Sequence, residues 1–95
     1  MPSGSEPRYT LIVARIAARQ IAERLPETVA AAVLNFITGD LLDEPRRVGK
    51  PLGRELAGTY AARRGEYRVV YQIDDEARTV TVLDVDHRRD IYRRS

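Results

Sequence analysis

The chain has 95 residues, among them 16 Lys and Arg, 14 Asp and Glu, one His and no Cys, for a formal net charge of +2. That length suits one domain with a modest core, while the lack of Cys excludes disulfides and thiolate metal ligands and the single His argues against a zinc site. The longest apolar run, Val29 to Leu34, is far too short to span a bilayer.

The small net charge hides an asymmetry. Residues 1–45 carry four Arg and six acids, a balance of −2, whereas residues 46–95 carry eleven Arg, one Lys and eight acids, a balance of +4. Fifteen of the 16 basic residues are arginine. High genomic GC content produces such a bias too; its functional reading is bidentate contact with phosphate.

Residues 1–7 are small and polar, without the basic and apolar regions of a secretory signal. They read as a disordered leader to a single domain over residues 8–95, in a soluble cytoplasmic protein. Arg8 to Ala14 (RYTLIVA) is rich in β-branched and aromatic residues and predicts a first strand. From Arg15 the period becomes helical, with Ile16, Ala17, Ile21 and Leu25 on one side. Pro26 interrupts, since proline cannot continue the helix behind it but suits the first turn of the next. A second helix is expected from about Pro26 to Ile37, with Val29, Val33, Leu34, Ile37 and Leu41 as its apolar stripe, Gly39 as its cap and Asp40 to Leu42 as a ragged last turn.

Pro45 to Gly53 (PRRVGKPLG) reads as loop, with Arg46 and Arg47 solvated and Lys50 able to approach a bound backbone. Three strands are expected next: Glu55 to Arg63, Glu66 to Ile73 and Arg78 to Val85. In the middle one Tyr67, Val69, Tyr71 and Ile73 alternate toward a core, leaving Arg68, Val70 and Gln72 for the other face. The expected fold is therefore α+β: an N-terminal strand, a two-helix hairpin, then an antiparallel three-stranded meander, forming one sheet with the helices on one face.

The tail from Val85 to Arg94 (VDHRRDIYRR) ends this last strand with His87, Arg88, Arg89 and Tyr92. Taken alone it also reads as a solvated basic terminus. Arg68 mid-strand, Arg63 at the end of the preceding strand, and Arg88 and Tyr92 beyond the last strand can converge on one surface, where cations suit a phosphodiester. A charged Arg on a central strand is costly unless solvated or paired. Asp84 and Asp86 are paired carboxylates, better read as salt-bridge partners than as an acid–base couple. No Ser–His–Asp arrangement and no Gly-rich phosphate loop are present.

These stretches also resemble the RelE toxins of bacterial toxin–antitoxin pairs, within the wider RelE/ParE group. The resemblance rests on GEYRVVYQID (Gly65 to Asp74) and VDHRRDIYRR, with the LPETV corner and RVGKPLGRELAGTY, and spans about residues 8–94. It implies a RelE-like fold and a metal-independent, ribosome-dependent endoribonuclease that needs no cofactor. Such an enzyme cuts mRNA in the decoding site by attack of a ribose 2′-OH on its own 3′ phosphodiester. The implied partners are a RelB-like antitoxin, for which a heterotetramer is one allowed assembly, and the 70S ribosome with mRNA; no membrane is implied. Arg68, Arg88 and Tyr92 match the family's strand arginine, the arginine after the last strand and the tail tyrosine. Arg63 falls where the family has a lysine, and a companion lysine is replaced by Ala61. The expected catalytic set is Arg63, Arg68, Arg88 and Tyr92, with Lys50, Arg64, His87 and Arg89 as RNA contacts.

The chemistry on offer is weak in proton transfer, because phenols titrate near 10 and guanidiniums above 12. The arginines are cast as stabilisers of phosphate charge, and Tyr92 as a base if neighbouring guanidiniums lower its pKa. His87 is of the one residue type that ordinarily titrates near neutrality; it reads equally as a strand-end residue bonded to Asp86 or Asp90. Two other classes remain open: a ParE-like toxin that blocks DNA gyrase, and a catalytically weak homologue that mainly binds its antitoxin.

Overall fold

Tyr67, Val69, Tyr71 and Ile73 are all buried, so the alternation read from the sequence sets the core face of the central strand. A computed structural model describes residues 8–53 and 58–87 of the chain. The elements are β1 (Thr10–Val13), α1 (Arg15–Arg19) running into a π-helical turn (Gln20–Arg24), α2 (Glu27–Thr38), α3 (Asp40–Asp43), β2 (Lys50–Pro51), β3 (Thr59–Arg64), β4 (Tyr67–Asp74) and β5 (Thr79–His87).

The strands form one five-stranded sheet in the order β1-β5-β4-β3-β2. The meander β3–β4–β5 is antiparallel, as expected, and β1 lies parallel to β5 at the edge. The expected loop over Pro45 to Gly53 is not all loop. Lys50 and Pro51 pair with Ala61 and Tyr60, making a fifth strand too short, and too interrupted by proline, to carry a sequence signal. Residues 55–57 of the expected first meander strand lie outside the described residues, as does the expected leader over residues 1–7.

Ala17, Val29, Val33, Phe36, Ile37, Leu41 and Leu42 from the helices bury themselves with Val69, Tyr71, Val80 and Val82 from the sheet. Leu34, expected in the stripe, is instead an exposed apolar residue. Gly39 breaks the helix between α2 and α3, and an added Cβ there would lie 2.9 Å from the Asn35 carbonyl oxygen. Arg8 closes this end of α2: its Nη2 donates to the Thr38 and Gly39 carbonyls at 2.7 and 2.9 Å, and its Nε to Asp43 at 2.6 Å.

Two irregularities shape β5. Its ladder with β4 slips at Val70/Tyr71, because Tyr71 pairs with Val82 while Val70 pairs with Asp84. Leu83 is thus an extra, bulged residue. Beyond Val82, where β1 ends, the free edge of β5 is met by Gln20 from the π-helical turn. Its Oε1 accepts the Val85 N–H and its Nε2 donates to Asp84, both at 2.8 Å.

Tyr71 locks the β2 region to the core. Its hydroxyl donates to the Pro45 carbonyl at 2.5 Å, and its ring stacks on Tyr60 with centroids 5.8 Å apart. Gly49 passes so close that an added Cβ would collide with the Tyr71 hydroxyl and sit 2.9 Å from the Ala61 carbonyl oxygen. Gly49→Ala should therefore destabilise the protein by about 1–3 kcal/mol, the usual cost of overpacking, read as a lowered midpoint in denaturant. An unchanged midpoint would show that the loop yields freely.

Arg46 is exposed, as expected, and is also paired: its Nη1 and Nη2 donate to the two oxygens of Asp75 at 2.9 and 2.5 Å. Tyr9 adds a third bond to Asp75 at 2.8 Å. Hydrogen bonds from Arg46, then from Tyr9, hold the Asp75 carboxyl down at about 2, against an ordinary 3.8. A folded value below the unfolded one contributes stability that is complete above the unfolded value and lost as pH falls through the folded one. The difference in Tm between parent and Asp75→Asn should thus be largest above pH 5 (roughly one unit past the unfolded value). It should shrink away on acidification toward about 2. A difference that ignores pH would remove this carboxylate from the acid response.

Candidate functional site

Three of the site candidates, Lys50, Arg63 and Arg68, share the sheet face that carries no helix. A two-residue turn, Gly65 and Glu66, joins β3 to β4, with Gly65 at a φ of 56° that favours glycine. This tight turn makes Arg63 the direct cross-strand partner of Arg68. On its other flank Arg68 pairs with Asp86 of β5. Arg63, Arg68 and Asp86 thus form one row across three strands. The next row is Lys50, Ala61, Val70 and Asp84. Lys50, expected only to approach a bound backbone, therefore lies beside Ala61 and carries its charge on the face that holds Arg63 and Arg68.

Arg63 and Arg68 are like charges directly opposed, an arrangement that costs a few tenths to about 1 kcal/mol. Asp86 offsets it. Arg68 Nη2 donates to Asp86 Oδ2 at 2.9 Å, with the Arg68 side chain 35% exposed and that of Asp86 only 6%. Among the described residues, Arg68 Nε is enclosed and has no hydrogen-bond partner. An enclosed N–H donor without an acceptor is unfavourable. A cleft of ≈ 440 Å³ lined by Ile16, Arg19, Gln20, Glu23, Arg24 and Asp84 borders the second row.

Two expected RNA contacts point elsewhere. Arg64 follows Arg63 and so projects to the opposite, helix-bearing face, where its Cζ lies 4.7 Å above the Phe36 ring. His87 pairs with Tyr67 on that same face and is buried, and its Nε2 lies 3.4 Å from Glu66 Oε1. Its neighbour is Glu66, where the sequence suggested Asp86 or Asp90. The signal that separates Arg63 from Arg64 is the tight Gly65–Glu66 turn, which fixes the register outward from Tyr67. Arg88, Arg89 and Tyr92 lie outside the described residues. Asp86, read from sequence only as a salt-bridge partner, proves to be the partner of the central arginine.

The face carries two guanidiniums and an ammonium, donor groups of the kind that suit the oxygens of a phosphodiester. No described group of three or more His, Cys, Asp or Glu could hold a metal ion. The described tyrosines nearest the sheet core are poor bases. Burial pushes the Tyr67 phenol up, and pushes Tyr71 up to about 12.

The family model for the ParE toxin of the type II toxin–antitoxin system parDE matches residues 10–92. Toxin RelG of Mycobacterium tuberculosis is 62% identical over 77 residues, covering 81% of this chain and 88% of that one. Toxin RelE of the same organism is 46% identical over 85 residues, covering 90% and 87%. Among solved structures, the RelBE2 toxin–antitoxin complex of M. tuberculosis superposes with a TM-score of 0.81 at 55% identity, covering 86% of this chain and 100% of the other. The isolated Escherichia coli RelE toxin gives a TM-score of 0.70 at 26% identity, covering 90% and 93%. The matched span and these identities establish that the chain belongs to the RelE/ParE family of type II toxin–antitoxin toxins.

Proposed function

We propose that this toxin is a ribosome-dependent mRNA endoribonuclease that cuts in the decoding site and so inhibits translation. The observation that carries the reading is the direct pairing of Arg63 with Arg68 on the helix-free face, with Lys50 one row away. The reaction is attack of a ribose 2′-oxygen on the adjacent phosphorus. The P–O5′ bond breaks, the 2′-hydroxyl proton goes to a base and the 5′-oxygen takes up a proton, leaving a 2′,3′-cyclic phosphate and a 5′-hydroxyl. Arg63 and Arg68 stabilise the charge that builds on the non-bridging oxygens. Lys50 supplies, from the neighbouring strand, a cation in the row where Ala61 replaces the family lysine. Arg88 and Tyr92 complete the set from the tail, Tyr92 as base. A site so poor in proton-transfer groups depends on alignment of the 2′-OH by the ribosome, and alignment can supply about 7–11 kcal/mol of a barrier.

The cytoplasm is the compartment this activity needs, and no helix among the described residues is long and apolar enough to cross a membrane. The partner is a RelB-like antitoxin laid over the basic face; structural relatives are toxin–antitoxin complexes from M. tuberculosis and E. coli. The match to the ParE model keeps one second reading in view, a toxin that blocks DNA gyrase.

The purified toxin should cleave mRNA in programmed ribosomes and leave free RNA nearly untouched. Arg68→Ala should slow single-turnover cleavage by roughly 10²–10³, the cost of removing one preorganised charge stabiliser. Equal cleavage of naked RNA would overturn the ribosome requirement, and inhibition of gyrase without any RNA cleavage would move the toxin to the second reading.

Tyr92 is tested by paired substitutions. Tyr92→Phe should lower the cleavage step by roughly 10²–10⁴ with ribosome binding nearly unchanged, the usual worth of an acid–base group. If the ring only stacks on a base, Phe will match the parent and Tyr92→Leu will lose about 1–3 kcal/mol of binding.

A further inference from the structure

Arg68 is held from one side only. Its row on the open face reads Arg63, Arg68, Asp86. On the β3 side its cross-strand partner, Arg63, is a like charge and offers it no acceptor. The bond from Nη2 to Asp86 Oδ2, at 2.9 Å, draws it toward β5. An arginine side chain otherwise has much rotamer freedom, and with 35% of it exposed Arg68 has room to move. Asp86 has no such freedom: it is 5% exposed, and its backbone sits in the ladder opposite Arg68. A carboxylate this enclosed needs a cationic partner, and a fixed carboxylate makes a fixed anchor. The anchored end is Nη2; Nε stays enclosed and unbonded among the described residues.

We propose that Asp86 is a positioning residue for the reaction, which fixes the plane of the Arg68 guanidinium so that its exposed N–H groups meet the scissile phosphate. This rests on the endoribonuclease reading above. Asp86 does not touch substrate and adds no favourable charge to a phosphate; as a bare charge it would repel one. Its contribution is orientation, which a misplacement of about 1 Å forfeits by as much as 10²-fold. Two opposite predictions therefore separate anchoring from charge balance. If Asp86 only balances charge, deleting it leaves Arg68 more attractive to phosphate and cleavage holds or rises. If it anchors, deletion slows the chemical step.

The test is single-turnover cleavage in programmed ribosomes, run as a double-mutant cycle with NMR of the arginine side chain. Asp86→Ala should lower the rate roughly 10- to 100-fold with ribosome affinity nearly unchanged. Asp86→Asn, which keeps an acceptor oxygen at the same place, should recover much of that loss. In an Arg68→Ala background Asp86→Ala should have no further effect, because the residue acts through Arg68. The Arg68 guanidinium signal, assigned by its loss in Arg68→Ala, should show slow rotation in the parent and fast rotation in Asp86→Ala. Parental cleavage by Asp86→Ala, or the same loss with and without Arg68, overturns the proposal. If the parent does not cleave at all, the functional reading fails, and the NMR comparison still decides whether Asp86 anchors Arg68: equally fast rotation in parent and Asp86→Ala overturns it. A general folding defect would slow every arginine-independent readout alike and would be seen as an equal loss in the Arg68→Ala background, which also counts against the proposal.

Discussion

The charged face depends on one extra residue, Leu83, in the ladder between β4 and β5. A strand alternates faces with a period of two, so in an unbroken β5 Asp84 and Asp86 would share the side of Val80 and Val82. That side is the core, where two carboxylates would be costly. The bulge reverses the alternation. Val80 and Val82 before it, and Val85 and His87 after it, all face the helices and are buried. Asp84 and Asp86 come round to the open face, Asp84 beside Val70 and Asp86 beside Arg68. The hydrophobic core and the pairing of Arg68 are thus one solution to one register.

Much of this was legible in the residues, and the failures have specific causes. The strand Tyr67 to Ile73 alternates cleanly because one face packs on helices, and it gave both the core side chains and the outward position of Arg68. Pro26 and Gly39 marked helix boundaries through their backbone chemistry. The bulge was illegible, since nothing in TVTVLDV distinguishes an inserted residue from a regular one. The pairing of β1 with β5 was illegible as well, because local pattern carries no information about neighbours far apart in sequence. Arg63, read as catalytic, and Arg64, read as an RNA contact, were both expected at the site; the turn between β3 and β4 leaves only Arg63 on the face of Arg68.

Among the described residues, the cations of the second half do not form one continuous patch. Arg46 is spent on Asp75 and Arg47 lies 3.3 Å from Glu44, near the end of the molecule where Arg78 stacks 4.2 Å from the Tyr9 ring. Arg64 covers Phe36 on the helix side. Exposed ion pairs such as these contribute little to stability individually. Their effect here is on the field: they leave Lys50, Arg63 and Arg68 as the cations grouped on the open face among the described residues. Net charge alone would have predicted a broader and less selective attraction for nucleic acid.

The parallel pairing of β1 with β5 ties nearly the first described residues of the chain to the last: Thr10 stands beside Thr79 and Val13 beside Val82. Strand β1 therefore has no sheet to join while the ribosome is still making the middle of the chain. The hairpins β3–β4 and β4–β5 are local and can pair as soon as they emerge, but the edge strand must wait and then close a long loop, a slow kind of contact. Closure of the sheet is thus a late event in folding. The β4–β5 hairpin, which carries Arg68 and Asp86, can therefore form before β1 closes the edge of the sheet.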